Sequence, residues 1–82
     1  MGTKNLGQYI VVDSSICHGK PTFRGTRILV ADVLEQVANG MAWEAIIDEW
    51  RGVLNHKAIA EAVRLACDTL VAYTPELINK AS

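Results

Sequence analysis

The spacing of apolar residues after residue 29 constrains the fold more than any other feature of this sequence. Apolar side chains at positions 30, 33, 34, 37 and 38 follow the spacing of a helix that has one face in a core. Gly40, which follows Asn39, is suited to end this helix in a left-handed conformation. The same spacing predicts a short second helix, with an inner face formed by Trp43, Ile46, Ile47 and Trp50.

A third helix is predicted after Gly52. Asn55 is a suitable N-cap, and the helical pattern continues for about 18 residues. The residues expected to face inward are Ile59, Ala62, Val63, Ala66, Leu70 and Tyr73. The charged residues expected on a solvated outer face are Lys57, Glu61, Arg64 and Asp68. We expect Pro75 to start a separate last turn, whose Leu77 and Ile78 cover apolar residues outside the core stripe.

The segment before residue 30 has the composition of short strands. Residues 9–13, YIVVD, are β-branched and aromatic and are followed by a turn-forming Asp-Ser pair. Pro21 and Gly25 favour bends, so that residues 22–23 and 27–29 are expected to form a second small hairpin. The prediction is a single domain over residues 1–82, mostly α-helical, with an antiparallel β-hairpin region at 9–29 and a helical region at 30–80.

Composition limits the classes of protein to which the chain can belong. Half of its 82 residues are apolar and 21% are charged, as in an ordinary globular domain. A chain this short has a small core, so burial of further surface in a dimer is expected. The net charge of -1 argues against nonspecific coating of nucleic acid. The polar N-terminus and the absence of a long apolar run predict a cytoplasmic protein without membrane contact.

Positive charge is concentrated in one turn-rich segment. Lys20, Arg24 and Arg27 lie within eight positions, although the whole chain has only eight Lys and Arg residues. The second and third predicted helices have the proportions of a helix-turn-helix, beside which a basic hairpin resembles a wing that contacts the DNA backbone. Two alternatives remain open. One is that the helices only close a core, and the other is that the arginines pair with acidic residues on the helices, namely Glu35, Asp48 and Glu49.

Catalytic and metal sites are not expected. Cys17 and His18 are adjacent, whereas His56 and Cys67 are eleven residues apart, and neither spacing is typical of a structural zinc site. The Cys17–His18 pair is also unsuited to nucleophilic catalysis, because neighbouring side chains in a strand point apart. Both cysteines are expected to be reduced and buried. Trp43 and Trp50 are interpreted as core anchors rather than as a surface for base stacking.

The segment at residues 16–28, ICHGKPTFRGTRI, and the following helix that ends in Ala-Asn-Gly-Met, resemble a known family. This is the family of small bacterial and archaeal proteins named domain of unknown function 433 (DUF433), with a signature close to I-x-G-G-x-P-x-I-x-G-T-R-I-P-V. The resemblance covers most of the chain, from about Tyr9 to Tyr73. The residues at matching positions are Gly19, Pro21, Arg24, Gly25, Thr26, Arg27, Ile28 and Val30.

The resemblance implies a winged or homeodomain-like helix-turn-helix fold with three main helices, frequently dimeric. Members are often regarded as VapB-type antitoxins that are encoded beside a PIN-domain ribonuclease toxin. Within the family's G-T-R-I segment, Gly25 permits a bend, Thr26 satisfies backbone groups and Arg27 is expected to reach across as a clamp with several donors.

The chain also departs from the family pattern at the helix-turn-helix. Ala42 replaces the serine that caps the second helix. Lys57-Ala58 replaces an acidic pair, and Arg51-Gly52 stands where the family has proline. These changes make the start of the third helix more cationic, which favours contact with phosphate; the altered turn is equally compatible with a loss of DNA binding.

We therefore expect a non-enzymatic homodimer of antitoxin type, without cofactor or metal, that binds operator DNA and neutralises a PIN-domain ribonuclease. The alternative is a protein-interaction or dimerisation module that keeps the fold without binding DNA. The residues expected to contact DNA are Lys20, Arg24, Arg27, Arg51, His56, Lys57 and Arg64.

Overall fold

Three short strands precede three helices in the computed structural model, which describes the backbone of residues 2–81 and the side chains of residues 2–76. This order confirms a mostly helical chain with a small N-terminal antiparallel sheet. A short 3-10 turn, Cys17–Gly19, lies between the second and third strands. The strands and helices are β1 (Thr3–Asn5), β2 (Ile10–Asp13), β3 (Thr22–Phe23), α1 (Val30–Ala38), α2 (Trp43–Glu49) and α3 (His56–Ala81).

The sheet has the order β1-β2-β3 with antiparallel pairing throughout. Ile10 lies opposite Phe23, and a bridge between Thr22 and Leu29 closes the predicted second hairpin. Strand β1 was not predicted from the sequence. Its three residues are all exposed, so they carry no apolar alternation, and the strand exists because it pairs with the apolar strand β2.

The core lies where the sheet meets the three helices, and each predicted amphipathic stripe contributes to it. Its members include Ile10 and Phe23 from the sheet and one or more buried residues from each helix. Trp43 and Trp50 are half-buried and pack against this core, and the Trp50 indole Nε1 donates a hydrogen bond to Gln36 Oε1 at 2.8 Å. The buried helix residues of the core are Val30, Val33, Ile46, Ala58, Ile59 and Ala62.

The helix ends follow the local sequence signals. Gly40, at φ 81°, ends α1 in a Schellman motif, in which its N–H donates to Val37 O at 3.0 Å and that of Met41 donates to Gln36 O at 3.1 Å. Asn55 caps α3 by accepting a 2.8 Å hydrogen bond from the amide of Ala58. No side chain caps the start of α2 at Ala42, as the sequence predicted.

Helix α3 is longer than predicted: it has 26 residues rather than about 18. Pro75 lies inside it and does not begin a separate turn. The N–H that proline lacks would bond to the carbonyl of Val71, which lies on an exposed turn where water can replace it. The expected cover by Leu77 and Ile78 concerns side chains outside the described residues. No helix in the described part of the chain is both long and apolar enough to span a membrane.

The inward face predicted for α3 is correct only in its first half. Ile59 and Ala62 are fully buried, and Val63 is half-buried. Ala66, Leu70 and Tyr73 are exposed and line an open groove between α3 and α1. Both cysteines were also predicted incorrectly, since Cys17 is half-buried and Cys67 is exposed.

Glu61 was expected on the solvated face of α3, but it is half-buried against the turn between β1 and β2. Its carboxylate accepts hydrogen bonds from the amides of Gln8, at 3.0 Å, and Tyr9, at 2.7 Å. A Cβ atom on Gly7 would lie only 2.5 Å from Glu61 Oε1, so a larger residue there would displace the carboxylate from these two amides. Glu61 therefore joins the sheet to α3 through the backbone.

We predict that Glu61→Gln lowers the free energy of unfolding by about 1.5 kcal/mol, because an amide removes the charge and directs its own N–H groups toward backbone donors. Urea denaturation of the variant and the wild type measures this difference. Asp68→Asn, on an exposed part of the same helix, is the matched control and should change stability by less than about 0.5 kcal/mol. Equal effects of the two substitutions would contradict the role of Glu61.

Candidate nucleic-acid interface

The turn between α2 and α3 places Arg51 in a backbone conformation that arginine rarely adopts. Trp50 is the C-cap residue of α2, and Arg51 and Gly52 follow at φ 57° and 74°. Their amides donate to Asp48 O at 3.0 Å and to Ile47 O at 2.9 Å, which completes a Schellman motif. Arg51 thus occupies the position that Gly40 occupies after α1. A left-handed arginine is strained by about 1 kcal/mol relative to glycine.

Lys57 and Arg64 lie on the outer face of α3. They are seven residues apart and therefore share a face, about 10 Å apart along the helix axis. Both are exposed, whereas Ile59 and Ala62, on the other side of the same turns, are fully buried. Arg64 also borders a shallow groove of about 380 Å³ together with Trp43 and Cys67. Two long cationic side chains are thus available to a ligand on this face.

His56, the first residue of α3, is packed against α2. Its ring stacks on Trp43, with centroids 6.0 Å apart and planes at 28°. Its Nε2 atom lies 3.3 Å from a carboxylate oxygen of Glu44, and both side chains are more than half exposed. The neighbouring acidic group offsets any attraction of His56 for phosphate. His56 was predicted to contact DNA together with Lys57, but its contact with Glu44 was not predicted.

Arg24 contacts β1 and the turn after it, partners that the sequence did not predict. Its Nε atom donates to Gln8 O at 3.0 Å, and its two terminal nitrogens donate to Gly7 O and to Asn5 Oδ1, each at 3.1 Å. Within the described side chains, neither Arg24 nor Arg27 forms an ion pair with Glu35, Asp48 or Glu49. The pairing alternative is therefore not observed. Arg24 binds the β1–β2 turn.

The G-T-R-I segment forms the tight turn that its composition predicted. Gly25 has φ 76°, and the Thr26 hydroxyl donates to Phe23 O at 2.8 Å while accepting from the Ile28 amide at 3.0 Å. This turn and residues 53–55, which precede α3, line one cleft of about 360 Å³. The hairpin therefore lies beside the turn between α2 and α3.

Lys20 and Arg27 are both exposed. They flank the Cys17–Gly19 turn: the Lys20 amide donates to Cys17 O at 3.2 Å, and the Cys17 thiol donates to Arg27 O at 3.6 Å. The clamp with several donors that was expected of Arg27 is formed by Arg24 instead. Within the described side chains the guanidinium of Arg27 makes no hydrogen bond to the protein.

Two further observations concern the His, Cys, Asp and Glu side chains. No group of three or more His, Cys, Asp or Glu side chains in the described part of the chain is arranged to hold a metal ion. Asp13, at the end of β2, has a lowered pKa because its carboxylate accepts hydrogen bonds from the hydroxyl and amide of Ser15 and from the hydroxyl of Thr3. This network shapes a turn at the edge of the sheet.

We predict that Arg51→Gly raises the free energy of unfolding by about 0.5 to 1 kcal/mol, because glycine removes the strain of the left-handed conformation. Arg51→Lys keeps both the charge and the strain, so it should leave stability unchanged. Urea denaturation of both variants measures the difference. A destabilising effect of Arg51→Gly would show that the arginine side chain contributes more to folding than its conformation costs.

Comparison with known proteins places the chain in one family. The sequence model of the family described as "Protein of unknown function (DUF433)" matches residues 10–66 of the 82 residues. This range contains the hairpin, α1, α2 and the first 11 of the 26 residues of α3. No curated protein and no solved structure matches the chain. The protein belongs to the DUF433 family.

Proposed function

We propose that this protein is a DNA-binding helix-turn-helix protein of antitoxin type, that it acts as a homodimer and that it is not an enzyme. The observation that carries the proposal is the strained Arg51 between α2 and α3. Strained backbone conformations cluster at functional sites, and Arg51 is one of three non-glycine residues with positive φ in the described chain, beside Cys17 and His18 of the 3-10 turn. A cationic side chain kept there despite its cost is explained if the side chain binds a ligand.

The ligand is an extended polyanion, because two further cationic residues, Lys57 and Arg64, lie along α3, the helix that follows Arg51. Lys57 and Arg64 are exposed on the outer face of α3, and long cationic side chains on such a face suit phosphates and guanine bases. In helix-turn-helix proteins the second helix enters the major groove by its N-terminal residues. Here that helix is α3, and Arg51 and Lys57 lie at its start.

In this proposal, one cation of the hairpin segment positions the hairpin and two others bind DNA. Arg24 fixes the β1–β2 turn through three hydrogen bonds, and the G-T-R-I turn packs beside residues 53–55. Lys20 and Arg27 are exposed beside the Cys17–Gly19 turn, where they contact the DNA backbone outside the groove that holds α3. Arg24 positions the wing and the other two cations bind phosphate.

We predict that the protein shifts DNA taken from upstream of its own gene in a gel, with an affinity that falls steeply as salt rises. Lys57→Gln and Arg64→Gln should each reduce the slope of log affinity against log salt by about 1, because each variant neutralises one phosphate fewer. Arg51→Gly should weaken binding although it stabilises the fold. Lys4→Gln, which removes the same charge from β1, is the matched control and should have little effect.

The result that would overturn the proposal is the absence of any shift at low salt. A shift that weakens equally in Lys4→Gln and Lys57→Gln would indicate attraction by overall charge without a defined interface. Arg24→Gln is unsuitable for this series, because it would also remove the three hydrogen bonds to the β1–β2 turn.

The antitoxin part of the proposal rests on the family resemblance of residues 16–28. We predict that, where the adjacent gene encodes a PIN-domain ribonuclease, one equivalent of this protein abolishes RNA cleavage by that enzyme in a fluorescence assay. Arg51→Gly and Lys57→Gln should inhibit as well as the wild type, because they alter the DNA-binding face. Full ribonuclease activity in the presence of excess protein would contradict this part alone.

The second candidate function, an interaction module without DNA binding, is favoured by a different observation. An apolar groove of about 440 Å³ lies between α1 and α3, and large apolar side chains of α3 are exposed beside it. A surface of this kind marks a protein contact site. The gel shift distinguishes the two functions, since only the first requires DNA binding.

A further inference from the structure

The second half of α3 presents an apolar stripe that no other part of the described chain covers. Leu70 is 61% exposed and Tyr73 is 54% exposed, although both lie on the face of α3 that is buried at Ile59 and Ala62. This stripe continues into the groove between α1 and α3, whose other wall is formed by Ala31 and Leu34. The side of α3 that faces the core at Ile59 and Ala62 therefore continues as an exposed apolar surface at Leu70 and Tyr73.

We propose that a second copy of this chain covers this stripe, and that two α3 helices pair antiparallel across a two-fold axis. Each copy then places its Leu70 and Tyr73 in the groove of the other. A two-fold interface requires one surface that carries both the projecting residues and the groove that receives them. Here both are present on one surface, which α3 forms together with α1.

The spacing along α3 fits this pairing. Together with the buried Ala62 and the half-buried Leu65, which continue it toward the core, the stripe comprises residues 62, 65, 66, 69, 70 and 73. These positions are symmetric about the midpoint between Cys67 and Asp68. A two-fold axis at that point places Leu65 opposite Leu70 of the second copy and Ala66 opposite its Thr69. The small residues meet where the helices cross and permit close approach, and the large residues lie on either side.

Tyr73 of the second copy lies opposite Ala62, at a part of the groove that small residues line. Ala62 is fully buried and forms the floor, and Ala31 of α1 is exposed at the edge. The aromatic ring is thus accommodated beside two alanines, one at the floor and one at the edge of the groove.

Charge also favours a second copy as the occupant. No residue of the stripe is charged, and the net charge of -1 gives two copies little mutual repulsion. Lys57 and Arg64 lie on the opposite face of α3, so the pairing leaves them accessible. The stripe beyond residue 66 also lies outside the region that matches the family model.

This inference names the surface of the homodimer in the proposed function, but it does not depend on DNA binding. Its test therefore uses the full chain without DNA, by sedimentation equilibrium over a range of concentrations. We predict a reversible dimer for the wild type. Leu70→Lys should raise the dissociation constant about 100-fold or more, because each dimer loses two buried leucines.

Val71→Lys is the matched control. Val71 is the next residue, is 72% exposed and lies on the outer face of the helix, so the same substitution there should change the dissociation constant by less than about 3-fold. Ala31→Glu tests the opposite wall of the groove and should also weaken the dimer. Its control is Ala45→Glu, at an exposed alanine in the first turn of α2. Circular dichroism checks that all four variants keep their helices.

A wild type that stays monomeric, or a dimer that Leu70→Lys and Val71→Lys weaken equally, would overturn the inference. A monomer that still shifts DNA would leave the proposed DNA binding intact, and a dimer that does not shift DNA would overturn only the DNA-binding proposal. The two proposals therefore fail by different observations.

Discussion

The turn between β1 and β2 depends on two charged side chains that come from distant parts of the sequence. The Glu61 carboxylate accepts the N–H groups of Gln8 and Tyr9, and the Arg24 guanidinium donates to the carbonyls of Gly7 and Gln8. A turn whose backbone groups lack partners in a ladder would otherwise have to rely on water. Through Glu61 the turn holds the sheet on α3, and through Arg24 it holds the hairpin that lies beside the α2–α3 turn.

Helix α3 carries three different tasks on different parts of its surface. Its inner face near Ile59 and Ala62 completes the core, and its outer face carries Lys57 and Arg64, which we propose bind DNA. Its inner face near Leu70 is the surface that we assign to a second copy. The three surfaces do not overlap, because a helix of 26 residues, about 39 Å long, extends well beyond a small core.

Arg51 shows how stability and function can oppose each other in one turn. The two helix ends at Gly40 and Arg51 have the same hydrogen-bond pattern, yet only the first uses the residue that suits it best. The local rule for ending a helix therefore fails where the proposed interface begins. Such a failure is informative because a site that binds a ligand can retain a residue that the fold alone would not favour.

Elements whose signals are local were predictable from the order of the amino acids. The helical periodicity of α1 and α2, the left-handed end at Gly40 and the cap at Asn55 depend on residues within a few positions, so they were predicted correctly. The partners of Glu61 and Arg24 emerged only in the folded chain, because these hydrogen bonds join residues 16 to 53 positions apart. The exposure of Leu70 likewise follows from the folded arrangement, since periodicity gives the face of a helix but not where the neighbouring elements end.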